Sequence, residues 1–342
     1  MTIYIAGTGP VSPIGIGKEE FLSSLVSGRS GIGISDRYQS LCGEVASSSV
    51  DALLKDRRFR RAAPFSRFAL LSVKLALEDA GFGSIAGPAT ALSMATMHGA
   101  SNYTQEFHRA IVTEGVEGAS PILFSDSVLN AAAGNLSLCY GIKGPAHTLI
   151  GATTASFKAV QLGCELLMQD EADTVVVASS EELNEIEIFC YSRLGISPLA
   201  EGGGALILAR DRNGSSAQEC RIRSAASCCN PADTRAAVRQ AIRASLADAE
   251  LHASAIDLMI ADMSSEYCGL PVLPAASVTS LTGMAFSASA AWQITAAVQF
   301  LRSGKVPPPV LCGPAPQREL TRILLCAGDA GGVASAMVIE KG

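Results

Sequence analysis

The chain has 342 residues, 48% of them aliphatic, aromatic or sulfur-bearing and 17% charged, a composition that can bury a large core and excludes extended disorder. That length allows two ordinary domains or one large α/β body built from two similar halves. Lys and Arg number 26 against 32 Asp and Glu, a net charge of −6; read without a basic run, the chain is not expected to bind nucleic acid or other polyanions.

At the start, Ile3–Ala6 reads as a strand. The segment has no basic n-region, and Gly7, Gly9 and Pro10 break its apolar run, so no signal peptide is expected. No apolar stretch reaches the roughly 20 residues of a membrane helix, and a soluble cytoplasmic protein is expected. A helix is predicted over 66–80, where Leu70, Val73, Leu77 and Ala80 form one stripe and Gly81 stands at the C′ position. Further apolar runs beside glycines, at Thr174–Ala178, Ala205–Ala209 and Ala336–Ile339, alternate with helical patterns, which is the signature of an α/β fold.

Several of these events come twice. Leu77-Glu78-Asp79-Ala80 has a counterpart in Leu246-Ala247-Asp248-Ala249. Residues 154–178, an apolar helix followed by DTVVVA, correspond to 286–310, FSASAAWQITAAVQFL followed by KVPPPV. Glu201-Gly202-Gly203-Gly204-Ala205 is echoed by Asp329-Ala330-Gly331-Gly332-Val333. Three pairs in one order predict a duplication, with halves 1–215 and 216–342 packed as one body and joined through the polar stretch 211–220.

The ten cysteines are scattered without a C-x-x-C pair, and the four histidines show no zinc-ligand spacing. Most of the cysteines read as small buried hydrophobes of a reducing compartment, and neither metal nor cofactor is expected. Gly202–Gly204 lack the Lys-Ser/Thr that follows a phosphate loop and read as a turn leading into a strand.

The opening stretch 5–33, IAGTGPVSPIGIGKEEFLSSLVSGRSGIG, resembles the amino terminus of β-ketoacyl-acyl-carrier-protein synthases of the thiolase superfamily. The run Asn130-Ala131-Ala132-Ala133-Gly134-Asn135-Leu136-Ser137, leading into Tyr140-Gly141-Ile142-Lys143-Gly144-Pro145, carries the same resemblance. It implies a thiolase-like five-layered αβαβα fold working as a dimer. It also implies a nucleophilic cysteine at a strand-to-helix elbow, where the helix dipole and nearby amides favour thiolate and oxyanion, with two histidines and a lysine that serve decarboxylation.

The residues at those places differ. In the elbow segment Leu149–Val160 the place of the cysteine falls on Thr153; Asp262 stands for the first histidine, Thr279 for the lysine and Met284 for the second histidine. The last histidine of the chain is His252, so no small shift of alignment restores an imidazole. The glycine-rich run near the end has become Gly328-Asp329-Ala330-Gly331-Gly332, and residues 180–200 replace a longer excursion. Thr153 reads as space-filling, or as a nucleophile only if a base activates it. Asp262 and Glu266 read as an acid pair, or as carboxylates that are solvated or bound to backbone amides.

A family member without these groups resembles the chain length factor of type II polyketide and aryl polyene systems. That resemblance implies a non-catalytic subunit that pairs with an active ketosynthase, meets acyl carrier protein through the complex, and lends wall to an acyl tunnel. Phe107, Ile111, Leu123 and Phe124 are the expected wall, with His98 bordering the pocket; each also reads as ordinary core or interface. The small residues 130–134 read as dimer-interface packing. Two other readings stay open: a homodimeric decarboxylase or hydrolase using Thr153, Ser156 or Asp262, and a structural partner that sets no length.

Overall fold

The protein is described by a computed structural model covering residues 2–210, 220–270 and 272–342. Among the described residues, eleven strands form one continuous mixed sheet. Ile3–Ser12 pairs on one side with Gly202–Arg210 and on the other with Cys220–Cys229. Outward from Gly202–Arg210 come Thr174–Glu181, Thr90–Thr96 and the edge strand Ala146–Ile150; outward from Cys220–Cys229 come Val333–Lys341, Arg322–Gly328, Leu258–Ile260 and Ala275–Ala276. Each series runs through two antiparallel pairings and then two parallel ones.

The helices sort into layers in the same way. Pro64–Ala80 lies on the outer face of the first series, and Thr234–Asp248 on that of the second. Thr153–Met168 and Phe286–Ser303 pack on each other and on strands of both series, which makes five layers, αβαβα. A helix enclosed between sheets must be apolar or small on every side: all residues from Phe286 to Leu301 are buried. Trp292 fits there because its Nε1–H donates to the Gly203 carbonyl at 2.9 Å.

Glycines in the opening strand set the spacing to the outer helix. A Cβ on Gly7 would lie 2.2 Å from the Ala76 carbonyl oxygen, and one on Gly9 would lie 2.0 Å from that of Ser72. The expected turn at Gly202–Gly204 is instead ladder, paired to Ser179–Glu181 and to the opening strand. Its glycines are there for the same steric reason, since a Cβ on Gly204 would meet that of Ala291 at 2.5 Å.

Three further expectations are corrected. The Lys305–Val310 stretch, matched to the strand-bearing 173–178 in the duplication, has no strand of its own: Pro308–Val310 forms a 3₁₀ turn, and the next strand is Arg322–Gly328, because prolines cannot donate to a ladder. Ala131–Ala133 are spent inside the chain, buried beside the Pro64–Ala80 helix, with only Asn130 and Gly134 of that run exposed. Five of the ten cysteines are buried rather than most. The expected boundary at 215/216 lies outside the described residues.

Candidate functional site

The strand Ala146–Ile150 and the helix Thr153–Met168 form the elbow. Thr153, the first helical residue, is buried, and its Oγ1 lies 4.0 Å from the Met284 Sδ, a weak acceptor. Two positions 131 residues apart thus meet. The helix has no cap from Ala152. Asp329, in the turn between the last two strands, supplies one: its carboxylate accepts from the Thr154 N–H at 3.3 and 3.4 Å and, in a short contact, from the Thr154 hydroxyl. Burial pushes the Asp329 carboxyl above its ordinary range, against the opposing pull of the Thr154 bonds and Lys158.

Asp262 follows the strand Leu258–Ile260 and sits in a recess, open to solvent yet densely surrounded by protein. The sequence leaves it paired with Glu266, solvated or bound to backbone amides; in the structure side chains hold it. Thr279 Oγ1 donates at 2.6 Å, Ser277 Oγ at 3.1 Å and Gln293 Nε2 at 2.7 Å. Desolvation pushes its carboxyl up, and the three donors pull it down. Glu266 lies on the short helix Ser265–Cys268, is exposed, and is not among these partners.

Behind the elbow, the His98 Nε2 lies 3.0 Å from the Tyr191 hydroxyl, and its ring packs edge-on against Phe286 at 5.1 Å. Phe286 shares an apolar cluster with Met97, Ala152 and Met284. Burial lowers the imidazole to about 4, so it is neutral at pH 7. Two acids ending the strand Thr174–Glu181 were not singled out by the sequence reading, although Glu181-Glu182 directly after an apolar run was the available signal. Glu181 accepts from Met97 N–H at 2.6 Å, Ser287 Oγ at 2.5 Å, Thr96 Oγ1 at 3.2 Å and His98 N–H at 3.3 Å. Desolvation nevertheless raises it to about 7. Glu182 takes the N–H groups of Phe65 and Asn102.

At the elbow, then, stand a hydroxyl and a thioether, and at Asp262 a carboxylate bound to neutral donors. Cys164, on the same helix as Thr153, is buried, and desolvation pushes its thiol up to about 12. Among the described residues no three His, Cys, Asp or Glu side chains come together to hold a metal ion, and no helix is long and apolar enough to cross a membrane.

Residues 1–203 match the family model for the β-ketoacyl synthase N-terminal domain. The chain belongs to the β-ketoacyl synthase family. This family member is 23% identical over 215 residues to 3-oxoacyl-[acyl-carrier-protein] synthase 2 of Coxiella burnetii, an alignment covering 60% of the chain and 49% of that enzyme, so the chain spans about half the length of the synthase it matches. It is also 23% identical to the ketoacyl synthase beta subunit of the tetracenomycin polyketide synthase of Streptomyces glaucescens, over 99% of the chain and 98% of that subunit. The ishigamide ketosynthase/chain length factor has the same thiolase-like fold, with a TM-score of 0.89 at 17% identity, covering 100% of this chain and 99% of that one. The motifs at 5–33 and 130–145 both fall inside the matched stretch.

The expected wall residues of this β-ketoacyl synthase homologue lie on helices other than the elbow helix. Phe107 and Ile111 are on the helix Ser101–Glu114, and Leu123 and Phe124 on Pro121–Ser127; neither helix contains a buried residue. The Phe107 and Phe124 rings tilt against each other at 5.5 Å, and Ile122, Phe124 and Val128 are exposed. These residues form a shelf, not core. Of the five expected residues, only His98 joins the cluster around Met284. A basic run was also overlooked: Lys55, Arg57, Arg58, Arg60 and Arg61 are all exposed around the turn Arg57–Phe59, and of these only Arg58 has an ion pair among the described residues, with Asp56 at 2.6 Å.

Proposed function

We propose that the chain is a non-catalytic ketosynthase-like subunit, a chain length factor, that pairs in the cytoplasm with an active β-ketoacyl-acyl-carrier-protein synthase and shapes its acyl tunnel. The observation that carries this reading is the set of side chains standing where the catalytic groups are expected: Thr153 meets Met284 at the elbow, and Asp262 meets Thr279 beyond the strand Leu258–Ile260. The chemistry needs a thiolate to take the acyl group and donors to hold an enolate. The hydroxyl of the buried Thr153 faces a thioether and not a base, and Asp262 is an acceptor where a donor is required.

The outer surface supports a partner. Ile150 on the edge strand, Leu138, and the shelf at Ile122 and Phe124 are more than half exposed. A strand edge with apolar neighbours is unstable in isolation and invites pairing. An acyl chain is apolar and needs a long dry cavity, which a second subunit closes at a chosen depth. The basic run at 55–61 suits an acidic protein such as an acyl carrier protein. Incubating the purified chain with malonyl- and acyl-carrier protein should release no carbon dioxide and leave no adduct on Thr153 by intact-protein mass spectrometry. Co-expression with a ketosynthase carrying intact Cys, His and His should give a one-to-one complex with product. Turnover or a Thr153 adduct from the chain alone overturns the reading in favour of the homodimeric enzyme.

A further inference from the structure

We propose that Asp329 holds the elbow shut from within, its carboxylate occupying the start of the Thr153–Met168 helix where a thiolate or an oxyanion would have to sit. The inference rests on the reading of this elbow as inactive and names the contact that keeps it so. A helix of 16 residues begins with unpaired N–H groups and partial positive charge, the setting that favours a thiolate and a developing oxyanion. Here the donors of Thr154 are already used: it gives both its N–H and its hydroxyl to Asp329.

The turn that delivers Asp329 is fixed. Its N–H donates to the Val333 carbonyl at 2.8 Å, and its own carbonyl accepts from Gly332 at 2.9 Å. Gly332 has φ +77°, and a Cβ there would lie 2.2 Å from the Asn230 carbonyl oxygen, so the turn has no room to swing on that side. The charged and titratable groups around the elbow do not offset the carboxylate. Lys158 lies one turn further along the helix and acts on Asp329 itself. Glu181 is screened behind Ser287, which accepts from Ser156 at 2.7 Å through its carbonyl and donates to Glu181 at 2.5 Å. His98 is neutral, Asp262 is held in the recess by Gln293, and the group touching Thr153 is the uncharged Met284. A second negative charge at residue 153 is therefore opposed, and restoring the thiol alone does not restore a thiolate.

The test is the pH dependence of iodoacetamide alkylation at residue 153, followed by peptide mass spectrometry in the purified chain, with exposed Cys190 as internal reference and buried Cys164 as the check of folding. Thr153→Cys alone should titrate above the ordinary thiol value of about 8.5. Adding Asp329→Asn, or Asp329→Ser if that variant does not fold, should lower the midpoint by at least about one unit and raise the rate at pH 7 about tenfold. Adding Thr154→Ala to Thr153→Cys, which keeps the carboxylate and removes one bond, should leave the midpoint high. An unchanged midpoint without the Asp329 charge, or an equal drop with Thr154→Ala, overturns the proposal and leaves Asp329 as a plain cap. Acylation of Thr153 in the unaltered chain would instead overturn the inactive reading itself, whatever the thiol variants do.

Discussion

Phe124→Ala distinguishes a shelf built for a partner from a residue of the chain's own core. Phe124 is 56% exposed, and its ring lies 5.5 Å from that of Phe107. Complete burial of such a side chain is worth about 1.5–3 kcal/mol and an aromatic pair about 0.5–1.5 kcal/mol. With less than half of the residue covered, the isolated chain should lose about 1–2 kcal/mol, below the roughly 3–5 kcal/mol of a core truncation. Covering the remaining surface with a partner contributes about 1–1.5 kcal/mol, so the complex should weaken up to about tenfold. If the vacated space opens on the tunnel, one further two-carbon unit gains roughly 1.5 kcal/mol, about tenfold in preference at that step. Urea unfolding of the isolated chain, the dissociation constant of the complex and product mass spectrometry read the three effects separately. A loss of several kcal/mol in the isolated chain would place the ring in the core. Unchanged products from Phe107, Ile111, Leu123 and Phe124 truncated in turn would reduce the shelf to ordinary packing.

Glu181 should make stability depend on pH in an unusual direction. Its folded value of about 7 lies above the ordinary 4.5, so between those values the folded state holds the extra proton; the stability it contributes is fully present below pH 4.5 and is lost as pH rises through 7. Glu187, raised to about 8, and Glu201, raised to about 7, act in the same sense. Glu181→Gln, with one acceptor oxygen for four donors, should be less stable throughout but show a flatter decline between pH 5 and pH 8 in urea midpoints; a decline as steep as in the unaltered chain would remove Glu181 as its source. Gly9→Ala forces a methyl to within 2.0 Å of the Ser72 carbonyl oxygen and should cost about 3 kcal/mol by overpacking. Gly83→Ala, with nothing within 4 Å, is the control and should leave the thermal midpoint nearly unchanged.

The composition, the alternation of strands with helices and the motifs at 5–33 and 130–145 were enough to point to the α/β class and the family, because both rest on local pattern and on residue types that survive wide divergence. Sequence also supplied the absence of any histidine beyond His252, which needs no coordinates. Contacts between distant segments were decided only by the tertiary structure. Thr153 meets Met284 and Thr154 meets Asp329 because two layers of helix and the final hairpin converge on one elbow, and no periodicity along the chain encodes that. Glycines at 202–204 look like a turn until the helix Phe286–Ser303 is seen passing within a methyl's width of them. Ala131–Ala133 look like interface until the Pro64–Ala80 helix covers them. Asp262 followed the same rule, since its partners Ser277, Thr279 and Gln293 come from later in the chain, and a carboxylate's partners depend on where the backbone brings donors, not on which residues adjoin it.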